Sequence, residues 1–181
     1  GNWSPMDFST DGSKLLVMKY VSAAESYPGE VDVATGKLTL FPVDGGKASF
    51  GGFAFAPNGK AVYFVSNEPL QGKPQEFKTL RFHDPDSGRF EVLSANIPWD
   101  VGGFTIADDG KHLAFTSNED GISRLRVLSL PGHKEIRLPA LPIGVIGGTL
   151  SPRVRVGANT ANVLESRSRK RCKNKADRND H

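Results

Sequence analysis

The chain has 181 residues, 38% of them hydrophobic, with 23 Lys and Arg against 20 Asp and Glu. That length suffices for one domain with a buried core. No run approaches the roughly 18–20 consecutive apolar residues of a membrane-spanning helix, so no membrane partner is expected. Cys172 is the single cysteine, which excludes an internal disulfide and leaves the redox compartment unconstrained. No secretory signal is legible and the first residue is Gly1, so localisation stays open.

The net charge of +3 is unevenly placed. Residues 153–181 hold nine Lys and Arg against three Asp and Glu, and the first 152 residues carry 14 against 17, a net of −3. The basic balance therefore belongs to the tail alone. Its run Lys170–Lys175 has no interleaved aromatic residue, so a nucleic-acid partner is not expected.

In chain order, unit one opens with a strand near Met6–Ser9. An Asp11-Gly12 turn leads into the apolar run Lys14–Val21, a buried strand. The loop Ser22–Tyr27, a strand at Gly29–Val33, the turn Ala34–Lys37 and a strand at Leu38–Pro42 complete it. Unit two repeats this order with Phe53–Ala56, the turn Pro57–Lys60, Ala61–Ser66, the longer loop Asn67–Gln75, Glu76–His83, a Gly88 turn and Phe90–Ser94. Its Asn58-Gly59 pair is a strong hairpin signal, since both residues accept the positive φ of a two-residue turn. Unit three gives Phe104–Ala107, Asp109-Gly110, His112–Ser117, the short loop Asn118–Gly121, Ile122–Ser129, Pro131-Gly132 and Glu135–Leu138. The turn glycines Gly12, Gly59 and Gly110 lie 47 and 51 residues apart.

Four short strands per unit, joined by polar glycine turns, are the signature of β-propeller blades. A β-sandwich has similar strand spacing, but the fixed order of strand, Asx-Gly and loop within each unit favours blades. The predicted fold is thus all-β: a partial propeller with blades at about 1–46, 47–98 and 99–144. A fourth unit begins at Val145–Pro152, whose Gly147-Gly148 matches the openings of units two and three. The repeat breaks at Arg153, which predicts a change of coding frame there, a truncated propeller, and a disordered basic tail beyond about Asn162.

The phrases Trp3-Ser4-Pro5 with Asp11–Val17, Phe53–Ser66 and Ile106–Gly121 resemble the propeller repeats of TolB-like proteins. With Tyr20–Tyr27, Asp32–Lys37 and Leu128–Lys134, they resemble more closely the N-terminal propeller of bacterial prolyl-oligopeptidase-family serine peptidases, which include dipeptidyl and acylaminoacyl peptidases. The resemblance covers residues 1–152. It implies a non-catalytic, substrate-gating propeller whose peptide substrate is cleaved by a following α/β-hydrolase domain with a Ser-Asp-His triad. The alternative it leaves open is a TolB-like propeller acting as a protein-binding module.

The sequence departs from the peptidase pattern by having no G-x-S-x-G nucleophile elbow, so no catalytic residue is assigned. His83 and His112 fall at strands or their ends, His133 in a turn and His181 at the terminus, all read as strand-edge or surface residues. Glu25, Glu68 and Glu119 recur after the second strand of each unit. They could form a carboxylate rim for a peptide amine or a metal, but loop position explains them equally. Related dipeptidyl peptidases carry propeller glutamates on a helical insertion, and none is legible here. Asp84, Asp86, Asp108 and Asp109 lack calcium-loop spacing. No metal or other cofactor is expected. Trp3 and Trp99 are expected to pack in or between blades. A propeller of three blades leaves two open faces, which predicts self-association.

Overall fold

The computed structural model describes residues 2–139 and 144–146. Twelve strands form three four-stranded antiparallel sheets, each a meander in chain order. Blade 1 contains β1 (Asn2–Phe8), β2 (Lys14–Ser22), β3 (Glu25–Asp32) and β4 (Leu38–Leu40). Blade 2 contains β5 (Phe50–Phe55), β6 (Val62–Ser66), β7 (Thr79–Asp84) and β8 (Arg89–Val92). Blade 3 contains β9 (Val101–Ile106), β10 (His112–Glu119), β11 (Ile122–Ser129) and β12 (Lys134–Ile136). This is the architecture of a partial β-propeller, with β1, β5 and β9 as inner strands. Of the predicted fourth unit only Val145 and Ile146 are described. Its remaining residues, and the tail from Arg153, lie outside the described residues.

Each blade has one face toward the preceding blade (leading) and one toward the next (trailing). Because side chains alternate along a strand, the two faces are read directly from the register. Trailing Leu16 and Met18 of blade 1 pack on leading Phe53, Phe55 and Phe64 of blade 2. Trailing Tyr63, Val65, Leu80 and Phe82 of blade 2 pack on leading Leu113, Phe115 and Leu128 of blade 3. The core is therefore two seams between sheets.

The three lower-rim turns share one device. Gly12, Gly59 and Gly110 adopt φ of +70°, +71° and +64°, and their N–H groups donate to Ser9, Ala56 and Ala107 carbonyls. Asp11, Asn58 and Asp109 accept the N–H two residues on, at 3.0, 3.0 and 2.8 Å. This corrects the two-residue hairpin expected at Asn58-Gly59. Only the glycine takes positive φ, and the Asx side chain serves as an acceptor.

Several strands begin earlier than periodicity indicates. β1 starts at Asn2, β5 at Phe50 and β9 at Val101, ahead of or through Gly51-Gly52 and Gly102-Gly103. Those glycines erase the apolar alternation while their backbone still pairs with the longer second strand. The loop expected at Ser22–Tyr27 shrinks to Ala23-Ala24, since Glu25–Tyr27 is already in β3. Trp3 and Trp99 are 42% and 37% exposed, so neither is sealed in a seam. Trp3 pairs with Lys19 on the leading face of blade 1, against which no described residue of another blade packs.

The connectors between blades also repeat. Ser26 N–H donates to the Ala48 carbonyl at 2.8 Å as the chain passes from blade 1 to β5. From blade 2 to β9, Val101 N–H donates to the Lys78 carbonyl at 2.9 Å, and Asp100 accepts the Lys78 N–H. Ser123 N–H donates to the Gly144 carbonyl at 3.0 Å. Gly144 thus stands where the chain, twice before, turns into an inner strand.

Candidate functional site

The inner strands border an axial groove of about 610 Å³, lined by Asp7, Gly51, Gly52, Phe104, Thr105 and Asp108 among others. Glycines keep its wall low. A Cβ on Gly103 would meet nothing within 4 Å. Asp7 gives the groove its one half-buried carboxylate among these lining residues. Its Oδ2 accepts the Phe55 N–H at 2.9 Å, tying blade 1 to blade 2. Burial pushes the Asp7 carboxyl above the ordinary aspartate value, and backbone hydrogen bonds from Phe55 and Phe8 oppose only part of that.

The sign of this shift has a consequence. A carboxyl with a raised folded pKa is favoured when protonated, so its contribution to stability declines as pH rises from the ordinary value through the folded one. Asp7→Asn retains an acceptor for Phe55 N–H and removes the charge. The variant is expected to match the wild type in urea midpoint at about pH 3 and to exceed it at about pH 7. Comparison at equal pH cancels the exposed turn carboxylates, such as Asp11, whose serine hydrogen bonds hold it at about 2. A lower midpoint for the variant at neutral pH would contradict this reading.

On the upper rim the three glutamates occupy unlike places. Glu68 follows β6, Glu119 closes β10, and Glu25 opens β3 rather than following β2 in the same register. Each meets a cation of its own. Glu25 accepts the Tyr27 hydroxyl at 2.6 Å and pairs with Lys47. Glu119 binds Arg126 at 2.8 Å beside Ser117. Glu68 lies 3.7 Å from Nη1 of Arg81, a guanidinium with no exposed surface. Arg81 and Arg126 sit opposite Phe64 and Phe115 at the same register. Blade 1 has Gly29 there, opposite Val17, where a Cβ would meet the Thr39 carbonyl at 2.9 Å. These carboxylates are neutralised within the rim and do not converge on a common point. Among the described residues no group of three His, Cys, Asp or Glu side chains gathers for a metal.

The acidic turn residues have local roles. Asp84 accepts from Asp86 N–H and the Ser87 hydroxyl, Asp86 pairs with Lys60, and Asp109 holds His112. His83 is half-buried on β7, and His181 lies outside the described residues. His133 corrects the surface reading: its side chain is 5% exposed. Nδ1 lies 2.8 Å from Glu91 and Nε2 lies 2.9 Å from the Tyr63 hydroxyl, with Tyr63 and Phe82 edge-on to the ring. The tautomer satisfying both contacts donates from Nδ1 to Glu91 and accepts from Tyr63.

This carboxylate, imidazole and hydroxyl array has the order of a catalytic relay but not its chemistry. Tyr63 is buried in the seam between blades 2 and 3, and burial pushes its hydroxyl up to about 12. A phenol of that pKa stays protonated at neutral pH and meets no substrate. The array clasps blade 3 to blade 2. No local signal marks His133, because its partners lie 42 and 70 residues away.

No family model matches the chain, and neither does any curated protein. Solved structures do. A putative TolB from Agrobacterium tumefaciens is similar at 14% identity and a TM-score of 0.59, over 75% of this chain and 48% of that one. A prolyl endopeptidase is similar at 19% identity and 0.59, over 78% of this chain and 20% of that one. TolB from Acinetobacter baumannii gives 19% identity and 0.53, over 71% and 30%. The chain therefore spans about half or less of the length of each, and at these identities the likeness is one of fold: a β-propeller of the TolB and prolyl endopeptidase type.

Proposed function

We propose that the chain is the substrate-gating propeller portion of a prolyl-oligopeptidase-like serine peptidase, acting on peptides through an α/β-hydrolase domain outside residues 1–181. The observation that carries this reading is the axial groove, low-walled at its glycines and bordered by three inner strands. A groove of about 610 Å³ admits an extended chain and excludes a folded domain. The repeat phrases of the peptidase propellers support the same reading, and the missing nucleophile elbow makes this portion non-catalytic. A TolB-like protein-binding role shares the fold and differs in the ligand, which would be a folded partner held on a rim.

The test uses the purified chain. Fluorophosphonate labelling and peptide turnover are both expected to be absent. An unstructured peptide with a photo-reactive group is expected to cross-link at Gly52, Phe104 or Thr105. Labelling confined to the upper rim, with a folded domain competing, would overturn the gating role in favour of the binding module.

A further inference from the structure

We infer that the leading face of blade 1 is a docking surface for the trailing face of blade 3 of a second copy of this chain, so that two copies close head to tail into one ring. The leading face of blade 1 carries Phe8, Leu15, Val17 and Val31, extended by Leu38 and Leu40 of β4. Phe8 holds the register position of Phe55 in blade 2, since each lies opposite the third residue after its turn glycine. Phe55 is 7% exposed in its seam, whereas Phe8 is 57% exposed. The same kind of surface is covered at blades 2 and 3 and uncovered, among the described residues, at blade 1.

The two seams inside the chain show what covers such a face, and three of their contacts have unfilled counterparts at the two ends. At the lower rim, a Cβ on Gly59 would lie 3.8 Å from the Cβ of Thr10, and one on Gly110 would lie 3.1 Å from that of Pro57. Each turn glycine therefore rests on the residue two places before the turn glycine of the preceding blade. Gly12 has nothing within 4 Å, and the residue left over in blade 3 is Asp108, which is exposed.

At the inner strands, Asp7 accepts the N–H of Phe55. Thr105 stands in β9 where Asp7 stands in β1, opposite the fourth residue after the turn glycine. Its hydroxyl is placed to accept the N–H of a partner's Phe8. On the sheets, bulky leading residues meet the trailing face of the blade before. Trailing Ala114, Thr116 and Thr105 of blade 3 are small and half-buried, and leave room for Phe8 and Leu15 between Leu125 and Val127. A head-to-tail contact uses two different patches and closes only when the rotation completes a ring. The contact repeats the geometry that already joins blade to blade.

Light scattering on the fresh full chain is expected to give twice the 19.5 kDa chain mass. Phe8→Asp is expected to halve that mass while the far-ultraviolet spectrum stays that of a β protein. Orientation is read in a Cys172→Ser background by mixing a Gly12→Cys chain with an Asp108→Cys chain. A disulfide between copies is expected on mixing and absent from the Gly12→Cys chain alone, because the equivalent Cβ positions approach to disulfide range. Cysteine at positive φ is strained, so the mass measurement stands independently of that pair. A monomeric wild type, a mass above two chains, or a dimer unchanged by Phe8→Asp would overturn the proposal. So would a cross-link through Gly12→Cys alone, which would mean that blade 1 faces blade 1.

Discussion

Phe115→Ala is expected to release blade 3 from the rest of the protein. Phe115 is 1% exposed and sits with Leu113 and Leu128 against Tyr63, Val65, Leu80 and Phe82 of blade 2. Removing a buried phenylalanine ring costs about 3–5 kcal/mol, combining lost transfer energy with the cavity left behind. A domain of this kind is stable by only about 5–15 kcal/mol, so the loss takes a large share of the total. Blades contact only their neighbours, and their stability is close to a sum of local and nearest-neighbour terms. The damage should therefore be polar. Amide exchange protection is expected to fall most in β9–β12 and least in β1–β4, whose seam is the separate cluster around Phe53 and Phe64. A urea midpoint within the error of the wild type, or equal loss of protection across all three blades, would show that the seams are not independent.

The second large effect separates two ion pairs that the sequence writes identically. Ser66-Asn67-Glu68 with Arg81 and Ser117-Asn118-Glu119 with Arg126 are register-equivalent. Arg81 has no exposed side-chain surface. Its Nη2 donates to the Glu68 carbonyl at 2.7 Å and its Nε to Thr79 at 3.0 Å, while Nη1 has no hydrogen-bond acceptor and faces the Glu68 carboxylate at 3.7 Å. Burial pushes its guanidinium below the ordinary value, and the Glu68 charge opposes that.

Glu68→Gln leaves this cation buried without its counter-charge, a change that costs about 3–5 kcal/mol when a buried pair is broken. Combining it with Arg81→Met should restore most of the loss, because a well-packed apolar pair replaces a desolvated one. Arg126 and Glu119 are each 22% exposed, so Glu119→Gln is expected to cost only about 0–1 kcal/mol. Urea midpoints of the three variants decide the matter. Equal effects of the two glutamine substitutions would mean that burial does not control these pairs.

Much of the architecture was legible because it is local. An Asx-Gly turn between apolar runs needs only adjacent residues, so Asp11-Gly12, Asn58-Gly59 and Asp109-Gly110 marked the blades and their order. The strand starts at Asn2, Phe50 and Val101 were not legible. Gly-Gly pairs and polar residues carry no periodic signal, and only the ladder with a long second strand recruits them. The likeness of the two Ser-Asn-Glu phrases was visible, but not that Arg81 is sealed while Arg126 reaches solvent. That difference depends on how much neighbouring sheet covers each.

The chain order of residues by itself determined an all-β repeat, three units of four strands, and turns whose glycines need positive φ. Only the tertiary structure decided which side chains share a seam. A histidine in an ordinary Pro-Gly-His turn became the clasp between blades 2 and 3, because its partners Tyr63 and Glu91 arrive from another sheet. Asp7 became a buried carboxylate because β5 brings the Phe55 N–H to it. Phe8, equal in sequence to the covered Phe55, remained exposed. Turns are governed by the torsions of a few neighbouring residues, whereas burial is governed by which sheet packs on which.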